Sequence, residues 1–273
     1  MVLGLLACML VGAHVPAMGS VHIEPDTLKP YKVRHAEPIF IDLIRDLGAH
    51  KGEREWNVGF GAHDKRKHTE YELLVEYEWA VIDRLGLEIE VPVTLRGPGA
   101  KDPKEGERGS RVESLKLAAQ YTFLVSEKTQ TSLALGYIHE LEFSDFKNFG
   151  RPVFYGNLYN PFFVAAQRIG QDFHSLIYTG PRIQQPFAEN AVDVGFEMHS
   201  NLHYMFPRSR HFVGVEVNKY YENHSWDITF RPQVRIAIGD HLLVGVLMGI
   251  PTDLKNDGYS VFTRIIWEPR DRR

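Results

Sequence analysis

The sequence predicts an all-β fold, an antiparallel transmembrane β-barrel of about twelve strands with a short N-terminal helical segment. Three observations carry that prediction. From Trp56 to Trp267 apolar and polar residues alternate with a period of two, the period of a strand and not of a helix. The connections between these runs alternate between short and long, as they do when tight turns gather at one end of a barrel and loops at the other. Size is the third. A ring of twelve strands at ~4.8 Å spacing and ~40° tilt closes at a diameter of roughly 24 Å. Apolar side chains fill the interior of about eight strands, so the wider ring calls for a polar or plugged interior.

The strands fall, in order, at 55–63, 69–81, 85–95, 111–125, 129–142, 160–168, 173–181, 191–206, 211–222, 225–239, 241–250 and 258–267. Residues 70–93, EYELLVEYEWAVIDRLGLEIEVPV, show the pattern most plainly. Glu70, Glu72, Glu76 and Glu78 share one face, and after the short turn at IDR, Glu88 and Glu90 continue it. Tyr71, Leu73, Val75, Tyr77 and Trp79 take the other face, followed by Leu87, Ile89 and Val91. In AVDVGFEMHSNLHYMF, Asp193, Glu197, His199 and His203 oppose Val194, Phe196, Met198 and Leu202. In SWDITFRPQVRIAIG, Arg231 and Arg235 oppose Phe230, Val234 and Ile236. The links SEK, IGQD and PRSR are short, whereas GPGAKDPKEGERG and SDFKNFGRPVFYGNL are long. Pro92 and Pro232 fall inside strand runs, where each removes a ladder hydrogen bond that a closed barrel wants and that a bulge could absorb.

The apolar faces carry Tyr and Trp near strand ends, as interfacial girdles do. An Arg or Lys at a lipid-facing midplane costs about 2–4 kcal/mol. The glutamate ladder is therefore assigned to the lumen, together with Lys116, Asp193, Glu197, His199, His203, Arg231, Arg235 and Arg264. Two readings stay open. Opposed acidic and basic walls orient and filter a solute in a pore, or the same charges pair and close the lumen.

Residues 1–19, MVLGLLACMLVGAHVPAMG, read as a secretory signal with cleavage after Ala17 or Gly19, although no Lys or Arg precedes the apolar run. LLAC offers a second reading, a lipoprotein box at Cys8. Cys8 is the single cysteine, which excludes an intrachain disulfide and a cysteine zinc site. Residues 20–54 are a periplasmic or lumenal segment. Phe40, Leu43, Ile44 and Leu47 at helical spacing, with Gly48 as a stop, predict a short helix over 37–48. Inside the lumen it would bring Arg45 to the glutamate ladder; outside, it would lie in the periplasm. The barrel spans 55–268, and 269–273 form a periplasmic tail.

A net charge of −4 and the lack of a basic stripe make no case for nucleic acid. The expected partners are outer-membrane lipids, the barrel-assembly machinery and a small-molecule or ion solute, with no cofactor. His199 and His203 are four apart on a strand, about 13 Å, too far to share a metal, and none is expected. A lipid hydrolase needs Ser and His within hydrogen-bond reach, but in His199–Ser200 and His174–Ser175 the neighbours point to opposite faces. No catalytic residue is assigned.

HAEPIFIDLIRDLGAHKGEREWNVGFGAHD, followed by YELLVEYEWAVIDRLGLEIEVP, resembles a family of uncharacterised bacterial outer-membrane proteins with an N-terminal HAEP-x-F-x-DL motif. More diffusely, residues 55–267 resemble outer-membrane transport barrels of the meta-pathway phenol degradation type. The second resemblance implies passage of small molecules across the outer membrane. Neither supplies catalytic positions.

Overall fold

The computed structural model describes residues 29–269, apart from 42, 99, 101–107, 148–151, 189–191 and 256. The leader at 1–19 with Cys8, and the tail beyond Pro269, lie outside the described residues. The strands are β1 (Arg54–Asp64), β2 (Thr69–Ile82), β3 (Leu85–Arg96), β4 (Arg111–Val112), β5 (Ser114–Ser126), β6 (Thr131–Phe143) and β7 (Phe154–Ile169). They continue as β8 (Phe173–Pro186), β9 (Asp193–Met205), β10 (Phe212–Glu222), β11 (Ser225–Ile238), β12 (Leu242–Pro251) and β13 (Ser260–Trp267). Every pairing is antiparallel, β1 pairs with β13, and β2 pairs with β3 to close the ring. The two-residue β4 is an appendage on β3, so twelve strands make the barrel.

Alternation places the apolar set outside. Trp56, Phe60, Tyr71, Leu73, Val75, Ile89, Phe230, Val234 and Trp267 are exposed, while Glu76, Glu78, Glu88 and Glu90 are buried on the inner face. Both prolines noted above sit where a ladder is already broken. At Pro92 the neighbour of β3 changes from β5 to β4, and the displaced Glu113 N–H donates to the Pro92 carbonyl at 2.8 Å. Pro232 falls between the pairs Phe230–Ile250 and Gln233–Leu247, where pairing with β12 lapses.

Two expectations are corrected. Strands β7 and β8 extend to 154–169 and 173–186, beyond the 160–168 and 173–181 read from the sequence. Pro161 and Pro181 lie in the gap between the pairs Tyr159–Ile183 and Phe163–Thr179. Two residues without an N–H thus share one interruption instead of ending two strands, and the Asn160 amide donates to the Pro181 carbonyl at 2.9 Å.

The second correction is the helix over 37–48. Among its described residues the chain makes bends and a turn, with Arg45 at φ 88° and Gly48 at φ 82°. The segment lies inside the barrel, and its backbone N–H groups find partners on the wall in place of carbonyls a turn back. Ala36 N–H donates to His174 Nδ1 at 3.1 Å, Ile39 N–H to Gln233 Oε1 at 2.8 Å, and Gly48 N–H to Thr122 Oγ1 at 3.0 Å. Ile41 N–H donates to Glu216 Oε1 at 3.1 Å, and Gln120 donates to the Arg45 carbonyl at 2.8 Å. With those groups satisfied, nothing favours a helix.

Candidate functional site: a lumen crossed by its own N-terminal strap

The strap, residues 33–49, meets the wall at three well-separated places. Ile44 and Arg45 lie against Gly86 on β3, Ala36 against His174 on β8, and Ile39 against Gly245 on β12. In the ring these three strands stand four apart from one another, so the strap spans the cross-section at the end where the tight turns and both barrel termini lie.

The strap is amphipathic, and so is the lumen. Leu43, Ile44 and Leu47 pack on Ala118, Ala134, Phe162, Val164, Ala166 and Leu176 from β5–β8. Ala36, Ile39 and Phe40 pack with Phe212, Leu247 and Phe262 on β10, β12 and β13. The expectation of a polar interior therefore holds for only part of the circumference, because β7 turns apolar residues to both faces. Burying Leu43, Ile44 and Leu47 stabilises the seated strap by roughly 1.5–3 kcal/mol per side chain.

The opposite side of the strap is charged. Arg45 Nη1 lies 2.5 Å from Glu55 and 3.2 Å from Glu78, and Nη2 lies 2.9 Å from Asp46. Lys32 bridges Asp46 and Glu53 at 2.5 and 2.7 Å. On the wall itself Glu78 pairs in register with Glu88, and Glu76 with Glu90. Such directly opposed carboxylates need countercharge. Lys116 supplies it at 2.7 Å from Glu90 and 3.2 Å from Glu88, Arg264 at 3.6 Å from Glu76, and the Asn57 amide donates to Glu76 and Glu78 at 2.6 and 2.8 Å. Glu76, Glu88 and Glu90 bring three carboxylate oxygens within 4.8 Å of one another. Lys116, Asn57 and Arg264 already attend that cluster.

The other sequence-predicted residues divide. Arg231 stacks over the Phe40 ring at 3.5 Å, and Arg235 lies 3.9 Å from Glu37, so both serve the strap and not a bare lumen wall. His199 is buried between Glu197, at 3.2 Å, and Asn218, at 3.1 Å. His203 is buried and pairs in register with His174 beneath the strap. Glu72 is half-buried on the loop side of the ladder. Glu70 stands near the loop end with His68 at 3.1 Å, and Asp193 is exposed at the start of β9, apart from the rest. His199 and Ser200 diverge as their parity requires: the Ser200 hydroxyl meets the outward Lys219 at 2.9 Å. On the strap, burial and the neighbouring His174 ring push His35 down to about 4, leaving a neutral ring 2.9 Å from the Ser132 hydroxyl.

Residues absent from the sequence-predicted set carry much of this site. Glu55, Asn57, Glu216 and Gln233 hold the strap or its acidic wall. Their parity, opposite Trp56, Val215, Val217 and Val234, was the available signal. On the loop side of the strap the lumen keeps a cavity of about 210 Å³, floored by Phe40 and Ile41.

A closed twelve-stranded ring with an apolar exterior and a buried charged interior defines the class: an outer-membrane-type β-barrel. The sequence model of the HAEPLYID-like family matches residues 31–268, and the chain belongs to that family. No curated protein sequence matches it. Among solved structures it is similar to the COG4313 outer membrane channel from Pseudomonas putida F1, with TM-score 0.61 and 11% identity over 84% of this chain and 100% of that one. It is also similar to the KdgM porin, with TM-score 0.55 and 14% identity over 79% and 99% of the two chains. The NanC porin follows at TM-score 0.56 and 9% identity over 79% and 100%. These likenesses are of fold.

Proposed function

We propose that the protein is an outer-membrane channel for small solutes, closed at its periplasmic end by the N-terminal strap. The observation that carries this reading is the polar, charge-lined cavity that occupies the loop side of a closed barrel and ends on a segment of the chain's own N-terminal part. The wall is continuous, so the strap, not a strand, is the part that moves when a solute passes. The apolar exterior supports insertion into lipid, with the tight turns and both termini periplasmic and the long loops outside. Oligogalacturonate is bound by the KdgM porin in one of its structures. The lumen here carries directly opposed carboxylates, Glu76 with Glu90 and Glu78 with Glu88, which supports a preference for cations.

The hydrogen bonds that hold the strap favour a second reading, a permanently plugged barrel with a structural or ligand-binding role. Planar-bilayer conductance of folded protein, its folding checked by heat-modifiable gel migration, separates the two. The channel reading expects discrete ohmic steps with cations preferred over anions. Silence from folded, inserted protein supports the plugged barrel.

A further inference from the structure

We propose that the cavity on the loop side of the strap is a binding site for a small organic cation, an ammonium group carried on an apolar body. The inference rests on the channel reading for its biological setting but not for its chemistry. At about 210 Å³ the cavity has room for a small molecule.

The charge balance sets the sign of the ligand. Three cations line the cavity, and each already has a carboxylate: Lys116 has Glu90 at 2.7 Å, Arg182 has Glu197 at 3.6 Å, and Arg264 has Glu76 at 3.6 Å. Two lining carboxylates remain. Glu140 accepts one hydrogen bond, from the Ser114 hydroxyl at 2.8 Å, and no cation in ion-pair contact with it is described. Glu72 has no hydrogen bond or ion pair among the described residues. Glu72 stands opposite Thr94 on β3 and Glu140 opposite Lys116 on β5, so the two reach the cavity from different levels of the wall, and with Glu90 and Glu197 they make four lining carboxylates to three cations. A desolvated cation is favoured there, and an anion is opposed.

The rest of the lining sets the body. Phe40 from the strap, Phe262 from β13 and Leu74 from β2 make one apolar surface, and Ile138 and Leu158 make another. Tyr178 and Tyr220 add aromatic faces. Rings in this lumen already carry cations: Arg231 lies 3.5 Å over Phe40, and Arg182 lies 5.6 Å over Tyr220. An alkylammonium uses both features at once, its charge beside Glu72 or Glu140 and its chain on Phe40, Leu74 and Phe262.

Isothermal titration of the full chain, folded in detergent, with n-butylammonium, butyrate, 1-butanol and magnesium chloride tests this without requiring transport. The expected result is binding of n-butylammonium alone, weakened on the order of tenfold or more in Glu72→Gln with Glu140→Gln. Heat-modifiable migration confirms that the variant is folded. Butyrate binding as well as the amine, magnesium binding with the same dependence on both glutamates, or n-butylammonium binding unchanged in the variant would each overturn the proposal. So would no binding at all. A protein that binds the amine but never conducts refutes the channel and leaves the site standing. One that conducts but ignores the amine does the reverse.

Discussion

Arg45→Gln should unseat the strap and raise bilayer conductance above that of the unaltered protein. Arg45 is 4% exposed and is the cation between Glu55, Glu78 and Asp46. Removing one member of a buried ion pair costs about 3–5 kcal/mol, because the charge left behind is neither solvated nor paired. The barrel keeps its ladder hydrogen bonds, so the strap is the part that gives way. Its departure lets water reach Glu55 and Glu78. The change is read as larger or more frequent conductance steps and as new tryptic cleavage at Lys32 or Arg34. The sign of the pH effect follows. As pH falls and the orphaned carboxylates take up protons, the repulsion fades, so the variant should move back toward the closed behaviour. Arg45→Lys keeps the charge but loses the fork that reaches three carboxylates, and should fall between the two.

Gly86→Val should give the same phenotype by a different force. A Cβ at Gly86 points into the lumen, overlaps the Ile44 carbonyl oxygen and lies 2.6 Å from Arg45 Cβ. The obstacle is strap backbone, which cannot rotate away as a side-chain tip would. In β3 itself valine suits the strand, and Gly86 keeps its places opposite Ala80 and Gln120. The barrel should therefore fold and migrate as before, with the strap displaced and conductance raised. If Arg45→Gln opens the pore and Gly86→Val leaves it closed, the acidic wall is the gate and the strap is a bystander.

Much of the barrel was legible because a strand's period is short and local. Glu76, Glu78, Glu88 and Glu90 had to share a face, and the cost of charge in lipid chose which one. The strap was harder to read. Phe40, Leu43, Ile44 and Leu47 have helical spacing because two different walls need apolar contacts, β5–β8 for the last three and β10, β12 and β13 for Phe40. Spacing alone cannot separate that from one face of a helix. The inner apolar wall was hidden for a related reason: PFFVAA in β7 is apolar throughout and has no alternation to read. The strands read from the sequence stop at 160 and 181, beside Pro161 and Pro181, whose sharing of one gap is a fact of register. Glu216 was visible by parity, but its role as acceptor for strap N–H groups exists only once the strap is inside.

The most direct test of the strap as gate is a reversible lock. Ile39 Cγ1 and Cγ2 lie 2.9 and 3.1 Å from the Cβ position of Gly245, which places the two Cβ atoms in range of a disulfide, about 3.5–4.5 Å. Ile39→Cys with Gly245→Cys, made together with Arg45→Gln and with Cys8 replaced by serine, ties the strap to β12 when oxidised. Bilayer conductance is then recorded before and after dithiothreitol, with bond formation confirmed by thiol alkylation and mass. A gating strap gives a pore that is silent when oxidised and conducts on reduction. Equal conductance in both states, with the disulfide verified, would contradict it, because solute would then be passing a strap that had not moved.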